Sequence, residues 1–441
     1  MLIRFAVENY SSFKEKQIFS MAAGKQTRHS SHCLTVNGKR LLKSSFFFGP
    51  NASGKSNFVR ALDFMSRVTL IGTESIRHND RFFRIDPACK EKPGVFQIDF
   101  IANNTIFSYG FAINYLTHVL SGEWLYRIDS SGREICIFER ELENKITTDL
   151  RLNKESQVRF NIYCEDLKEN DLLLNEIANK KIDKNSDLHD FVTAYEWFKN
   201  IIIVYPDSHA RNKNDFFLNP TSNTDSLVDM LRAFDTGIEL IKKGKQPVEK
   251  ALSFLPKDIM LDVINDLEQK MKGKYRDAKS CKIEIGDHQF EITIEAGEII
   301  AHKILLDHGN PSELFELSDE SDGTKRLFDL IPLYEFGQQG KIIIADEFDR
   351  SFHSKLTEKY IENFFKITKE KTCQLICTTH DLNLMDLRIL RQDEIWFVER
   401  EKDHSSRIYS LSDYKQRFDK NILNDYLIGR YGAIPCFQEN D

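Results

Sequence analysis

No Cys-x-x-Cys pair occurs in this chain; its eight cysteines, Cys33, Cys89, Cys136, Cys164, Cys281, Cys373, Cys377 and Cys436, are scattered. Neither a zinc site nor a disulfide framework is therefore suggested, and the thiols read as reduced. Runs of about 18 apolar residues, the length of a membrane span, are missing. The opening MLIRFAVENY alternates as a strand does and lacks the apolar centre of a signal peptide. A soluble cytoplasmic protein with no membrane partner is expected. A general basic field is lacking too: the net charge is −7 and the pI near 6.0, which argues against holding nucleic acid over the whole surface and leaves a local basic groove open. No heptad run is sustained, so a long coiled-coil arm is excluded, and no repeat or low-complexity tract is evident.

What remains is an ordinary globular composition, 41% hydrophobic and 29% charged over 441 residues, enough for about two or three domains or one large domain with insertions. Phenylalanine, at 33, is unusually frequent. The stretch GPNASGKSN, Gly49 to Asn57, fits the phosphate-binding pattern G-x-x-x-x-G-K-[ST]. A loop that wraps a triphosphate must turn its N–H groups inward with no side chain in the way, which glycine permits at Gly49 and Gly54. Lys55 would reach the β- and γ-phosphates, Ser56 would place its hydroxyl on Mg²⁺, and the following helix would aim its positive end at the anion. Asn51 and Asn57 flank these positions as further ATP-binding candidates. The apolar run Ser45 to Phe48 predicts a buried strand before the loop, and Phe58 to Val68 has helical spacing after it.

In chain order, residues 2 to 8 and Lys16 to Met21 predict a hairpin. Lys25, Arg28, His29 and His32 cluster between it and the phosphate loop, either lining the nucleotide or forming a solvated polar loop. Phe96 to Phe100, Thr105 to Ile113, Glu123 to Ile128 and Ile135 to Glu139 predict an antiparallel meander. Residues 140 to 200 read as mostly helical, Ile201 to Tyr205 as a strand, and 221 to 278 as helical through Leu227, Met230, Leu231, Phe234, Leu240, Val263, Ile264, Leu267 and Met271. Cys281 to Ile300 returns to alternating strands.

Far downstream, Ile342 to Glu347 is an apolar strand ending in two acids, the form of a Walker B strand. Asp346 would hold Mg²⁺; Glu347, one residue on and so directed to the opposite side, would activate the attacking water. Gln374 to His380 is an apolar strand that delivers His380 at its C-terminal end, as a γ-phosphate sensor. Glu320 to Arg326, ESDGTKR, precedes an apolar helix; Ser321 and Gly323 could offer N–H groups to a phosphate as an ABC signature does, or could open an ordinary helix cap. Asp349 stands where a D-loop acid would. Gln97 is the nearest glutamine for a Q-loop.

With the motifs LIRFAVENYSSF, GPNASGKSN, ESDGTKRLFDL, IIIADEFDRSFH, QLICTTHDLNLMD and YLIGRYGAIP, the chain resembles the abortive-infection ABC ATPases of the RloA/AbiL type, relatives of the OLD and PARIS AriA ATPases with an SMC/RecF-like head. That resemblance implies an α/β ABC ATPase head: a mixed central sheet with the P-loop, an antiparallel β subdomain and a helical insertion. The expected division is a head over 1–114 and 281–441, with a meander and helical insertion over 115–280. It further implies ATP hydrolysis with Mg²⁺, a homodimer or higher homo-oligomer closed through the ATP site, and a companion effector such as a Toprim-like nuclease released on a phage-derived trigger. The competing expectation is a DNA-repair or recombination ATPase that clamps DNA directly, as RecF does.

Overall fold

A computed structural model describes residues 1–128, 132–141, 145–206, 224–272, 280–285, 288–414 and 421–435. Cys436, the ends of the expected helical stretch at 221–223 and 273–278, and the Met271 side chain lie outside the described residues. The strands, in chain order, are β1 (Leu2–Glu8), β2 (Gln17–Ser20), β3 (Cys33–Val36), β4 (Lys39–Leu42), β5 (Ser44–Phe48), β6 (Gly94–Ala102), β7 (Thr105–Ile113), β8 (Leu120–Ile128), β9 (Glu134–Arg140) and β10 (Ile146–Thr147). They continue with β11 (Ile201–Val204), β12 (Leu240–Pro247), β13 (Cys281–Ile285), β14 (His288–Glu295), β15 (Glu298–Asp307), β16 (Leu314–Glu316), β17 (Ile342–Ala345), β18 (Gln374–Thr378), β19 (Ile395–Arg400) and β20 (Ser406–Ser410).

Two compact units form: Met1–Pro206, Phe336–Asp349 and Tyr360–Asp441 make the first, Asp207–Glu335 and Arg350–Lys359 the second. The strands β8 to β10 extend the sheet begun by β1 and β6, so the first unit runs on to Pro206.

In the first unit a seven-stranded antiparallel sheet runs β10-β9-β8-β7-β6-β1-β2, and a six-stranded sheet runs β11-β17-β18-β5-β19-β20. In the second sheet β11, β17, β18, β5 and β19 are parallel, and β20 closes the edge antiparallel. Parallel strands are covered on both faces, which is why β5 and β17 read as unbroken runs and are buried at every position. The helix α1 (Lys55–Ile71) shares one core cluster with both sheets. Phe58 shows why phenylalanine is so frequent: its ring lies 4.3 Å from Phe47 of β5, 5.2 Å from Phe19 of β2 and 5.8 Å from Phe5 of β1. One aromatic therefore joins three strands, and truncating it would cost about 3–5 kcal/mol. Gln374, fully buried, ties the sheets through its amide: Leu2 N donates to its Oε1 at 2.6 Å, and its Nε2 donates to Leu2 O at 2.9 Å and Leu42 O at 3.1 Å. Such pairing spares buried backbone groups an uncompensated loss of water.

The expected hairpin is β1 and β2, and the meander is β6 to β9. The helical content expected over 140 to 200 is α2 (Lys154–Glu165), α3 (Leu173–Ala178) and α4 (His189–Phe198). Gln97 is no Q-loop: it stands inside β6, its amide donating to Ser108 Oγ and Asp99 Oδ1.

The second unit holds a sheet β12-β15-β14-β13, with β16 paired to β15. The helical expectation fails at Leu240, which opens β12. The segment pairs antiparallel with β15 along its whole length, from Leu240 beside Asp307 to Pro247 beside Ile300, and this pairing overrides the helical spacing; Lys242 meets Asp307 of β15, while Lys243 and Lys245 reach Glu291 and Glu295 of β14, one strand beyond. Ile264 and Leu267, on the helix Lys257–Lys272, do pack as expected, against Val248, Leu252, Phe290 and Ile292.

Candidate functional site

β5 runs inside the parallel sheet, between β18 and β19, and delivers Gly49 to Gly54 at its C-terminal end, where open α/β sheets place their ligands. Gly54 caps α1 with φ 110° and Gly49 has φ 152°, left-handed values that favour glycine. Close approach adds a second reason: a Cβ on Gly49 would stand 2.2 Å from Val398 O, and one on Gly54 2.2 Å from Ser406 Oγ. The glycines are thus demanded by the protein wall behind the loop as well as by any ligand in front of it. Asn51 is exposed at the tip. Lys55 is buried, its Nζ donating to Gly49 O at 2.7 Å and Pro50 O at 3.1 Å. Burial lowers its pKa to about 8, against the upward pull of Asp346, Glu347 and Asp349. A desolvated ammonium held only by carbonyls could exchange them for phosphate oxygens at a gain in charge pairing.

β17 pairs with β18 so that Ala345 lies beside Cys377, and a chain of hydrogen bonds links the phosphate loop to both acids. Ser56 Oγ donates to Asp346 Oδ1 at 3.1 Å; Thr378 Oγ1 donates to the same oxygen at 2.6 Å and accepts the Glu347 N–H at 2.8 Å. Ser56 and Asp346 offer two hard oxygens side by side, a set that suits Mg²⁺ sharing its remaining positions with phosphate and water. Among the described residues no cluster of three or more His, Cys, Asp or Glu could hold a metal.

Strand alternation does not place Glu347. β17 ends at Ala345, and Glu347 takes a left-handed backbone with φ 45°. The Thr378 hydroxyl accepts its N–H and anchors the turn after β17. Asp349 accepts the backbone N–H of His380 on both carboxylate oxygens at 3.1 Å, joining the segment after β17 to the end of β18. Partial desolvation and the Lys55 charge hold His380 below the usual imidazole value, which favours the neutral ring with one N–H to donate. Asn57 donates from Nδ2 to Ser12 Oγ at 2.8 Å.

Ser321 and Gly323 belong to the second unit. Ser321 is the N-cap of the helix Asp322–Leu330, its Oγ accepting the Thr324 N–H at 3.2 Å. A Cβ on Gly323 would stand 3.0 Å from Ser351 O. His29 and His32 do not line the loop: His29 Nε2 meets Leu387 O at 2.9 Å, while His32 bonds Glu394 at 2.9 Å and stacks on Phe365 at 3.5 Å. Lys25 is exposed. The cluster is therefore in part a buried anchor, because Glu394 is fully buried and needs a partner.

Thr378 was not singled out from sequence, although it stands two residues before His380. Its role follows only from the β17–β18 register. Ser12 and Ser406 were also missed, and no local pattern marks Ser406. No helix among the described residues is long and apolar enough to cross a membrane.

Solved structures similar to this chain include an SMC head bound to the C-winged helix domain of ScpA, 14% identical, covering 93% of this chain and 97% of that one with a TM-score of 0.37. Another is the SMC head domain from Thermotoga maritima, 13% identical, covering 93% and 98% with a TM-score of 0.36. No curated protein matches by sequence. A family model described as "AAA domain, putative AbiEii toxin, Type IV TA system" matches residues 44–386. That span opens at the first residue of β5, contains the phosphate loop, both acids and His380, and makes up most of the chain, so the chain belongs to this AAA-domain family.

Proposed function

We propose that this protein is an ATP-hydrolysing ABC-type ATPase of the RloA/AbiL kind, acting in bacterial anti-phage defence. The carrying observation is the hydrogen bond from Ser56 on the phosphate loop to Asp346 after β17, continued through Thr378 to Glu347. It brings a hydroxyl, a metal-type carboxylate and a second acid into one line beside Lys55. In this reading Gly49, Asn51, Gly54, Lys55, Ser56 and Asn57 hold ATP. Ser56 and Asp346 hold Mg²⁺, which screens the charge between nucleotide and protein. Glu347 takes the proton of the attacking water, and His380 senses the γ-phosphate.

Ser321 and Gly323 act from a second copy of the chain, so that ATP joins two subunits and hydrolysis parts them. The cycle controls a companion effector, such as a Toprim-like nuclease, in response to a phage-derived trigger. Support for a defence role comes from the matching family's description, which names a toxin of a type IV toxin–antitoxin system. The test is ATP turnover by the purified chain with Mg²⁺, followed by light scattering with and without ATP. Turnover abolished by Glu347→Gln together with an ATP-dependent rise in mass is expected. Absence of turnover would remove the enzyme reading, and an effector gene nowhere adjacent would remove the defence reading.

A further inference from the structure

The phosphate loop has a rear support that its own motif does not contain. Ser406, at the start of β20 and almost fully buried, donates from Oγ to Ser53 O at 2.5 Å, and its N–H donates to Ser12 O at 2.7 Å. Ser12 in turn accepts Asn57 Nδ2 at 2.8 Å. A Cβ on Gly54 would stand 2.2 Å from Ser406 Oγ and 2.8 Å from Ser12 Oγ, so the two serines touch the loop directly. The turn that carries Ser12 is itself fixed on several sides: Ser11 N donates to Arg81 O at 2.5 Å, and Lys14 pairs with Asp86 at 3.0 Å and Asp403 at 3.7 Å.

Peptide planarity turns this contact into an orientation. The Ser53 C=O and the Gly54 N–H belong to one trans peptide and point in opposite directions. Holding the carbonyl back against Ser406 sets the Gly54 N–H forward, away from the β19–β20 hairpin. Glycine at 54 leaves that peptide free to rotate, since its φ of 110° is only one of the conformations glycine accepts. Something outside the loop must select the orientation, and in this structure the Ser406 hydroxyl bonds the carbonyl.

We infer that Ser406, assisted by Ser12, is a positioning residue for phosphate binding: it holds the Ser53–Gly54 peptide with its N–H turned toward the anion. This rests on the ATPase reading and adds to it a residue far from every nucleotide motif. The hydroxyl acts on the ground-state grip of the loop, so its loss weakens binding of ATP and ADP alike and affects KM more than kcat.

The test is calorimetric binding of ATP and ADP to the full chain as Ser406→Ala, Ser406→Cys and Ser12→Ala, with turnover measured in parallel. Loss of one buried hydrogen bond predicts about a tenfold weaker Kd for both nucleotides in Ser406→Ala. KM should rise by about the same factor and kcat fall by less; the thiol of Ser406→Cys restores part of the loss. Ser12→Ala removes the part-buried bond from Asn57 and keeps the experiment informative if Ser406→Ala fails to fold; it should weaken binding by a few-fold, roughly the value of one hydrogen bond. Wild-type affinity in both alanine variants overturns this inference and leaves the ATPase reading standing. A wild-type chain that binds neither nucleotide overturns both.

Discussion

Thr378 Oγ1 lies 2.6 Å from Asp346 Oδ1 and donates to it, and the same hydroxyl accepts the Glu347 N–H at 2.8 Å. One side chain thus sets the direction of the metal-type acid and the backbone of the catalytic candidate. Thr378→Val keeps the shape and removes both bonds. Bonds to a charged group are worth about 1.5–3 kcal/mol, so kcat should fall about ten- to a hundredfold while ATP affinity changes little. Thr378→Ser should retain most activity. Turnover assays beside calorimetry decide it; full activity in Thr378→Val would show that the two acids need no such clamp.

Glu347→Gln keeps size and hydrogen bonding but cannot take a proton. Hydrolysis should drop by about two to four orders of magnitude, with ATP still bound and the ATP-loaded dimer accumulating in light scattering. Near wild-type turnover would remove Glu347 from the role of base.

Lys55 predicts a pH dependence with two opposite signs. Its pKa is lowered by burial from 10.5 to about 8. Between those values the folded chain holds fewer protons at this side chain than the unfolded chain, so stability gains from it as pH rises, and the burial penalty is full only below about pH 8. Nucleotide binding needs the cation. ATP affinity should therefore fall as pH rises through about 8, with proton uptake on binding detected by calorimetry in buffers of different ionisation enthalpy. Lys55→Ala should lose most affinity at every pH. Flat affinity across that range would mean that phosphate is not bound by this ammonium.

Much of the parallel sheet was legible because β5, β17 and β18 are buried on both faces and carry their function at one end, so that hydrophobic run and motif coincide in the sequence. What sequence could not supply was pairing. Thr378 matters through its register with Asp346, Ser406 through contact with a loop 353 positions away, and β12 through pairing with β15 and acids 48 to 65 positions further along. Glu347 shows the limit in another way, since alternation assigns it a side only if the strand continues. Here it stops at Ala345, and Glu347 takes a left-handed φ of 45° with its N–H bonded to Thr378 of the neighbouring strand.

The geometry of Ser321 separates a composite site shared between two subunits from one held within a single chain. Gly323 is a poor target, because any Cβ there would press on Ser351 O at 3.0 Å and disturb the segment after Asp349 directly. Ser321 is better. Its Oγ caps the helix by accepting the Thr324 N–H, and aspartate is as good a cap as serine, so Ser321→Asp preserves the helix start. It also puts a negative charge where the γ-phosphate of the other subunit would approach, which opposes closure without touching the phosphate loop. Monomeric ATP binding should survive; ATP-driven dimerisation and hydrolysis should not. Mixing a Lys55→Ala chain with a Ser321→Asp chain then separates the two geometries. If the halves act across subunits, the heterodimer keeps one site with both halves intact and turnover should return to a fraction of wild type. If each chain serves its own site, both sites in the heterodimer are spoiled and nothing returns. Normal hydrolysis by Ser321→Asp alone would reduce this segment to a helix cap and leave the dimeric reading without its second half.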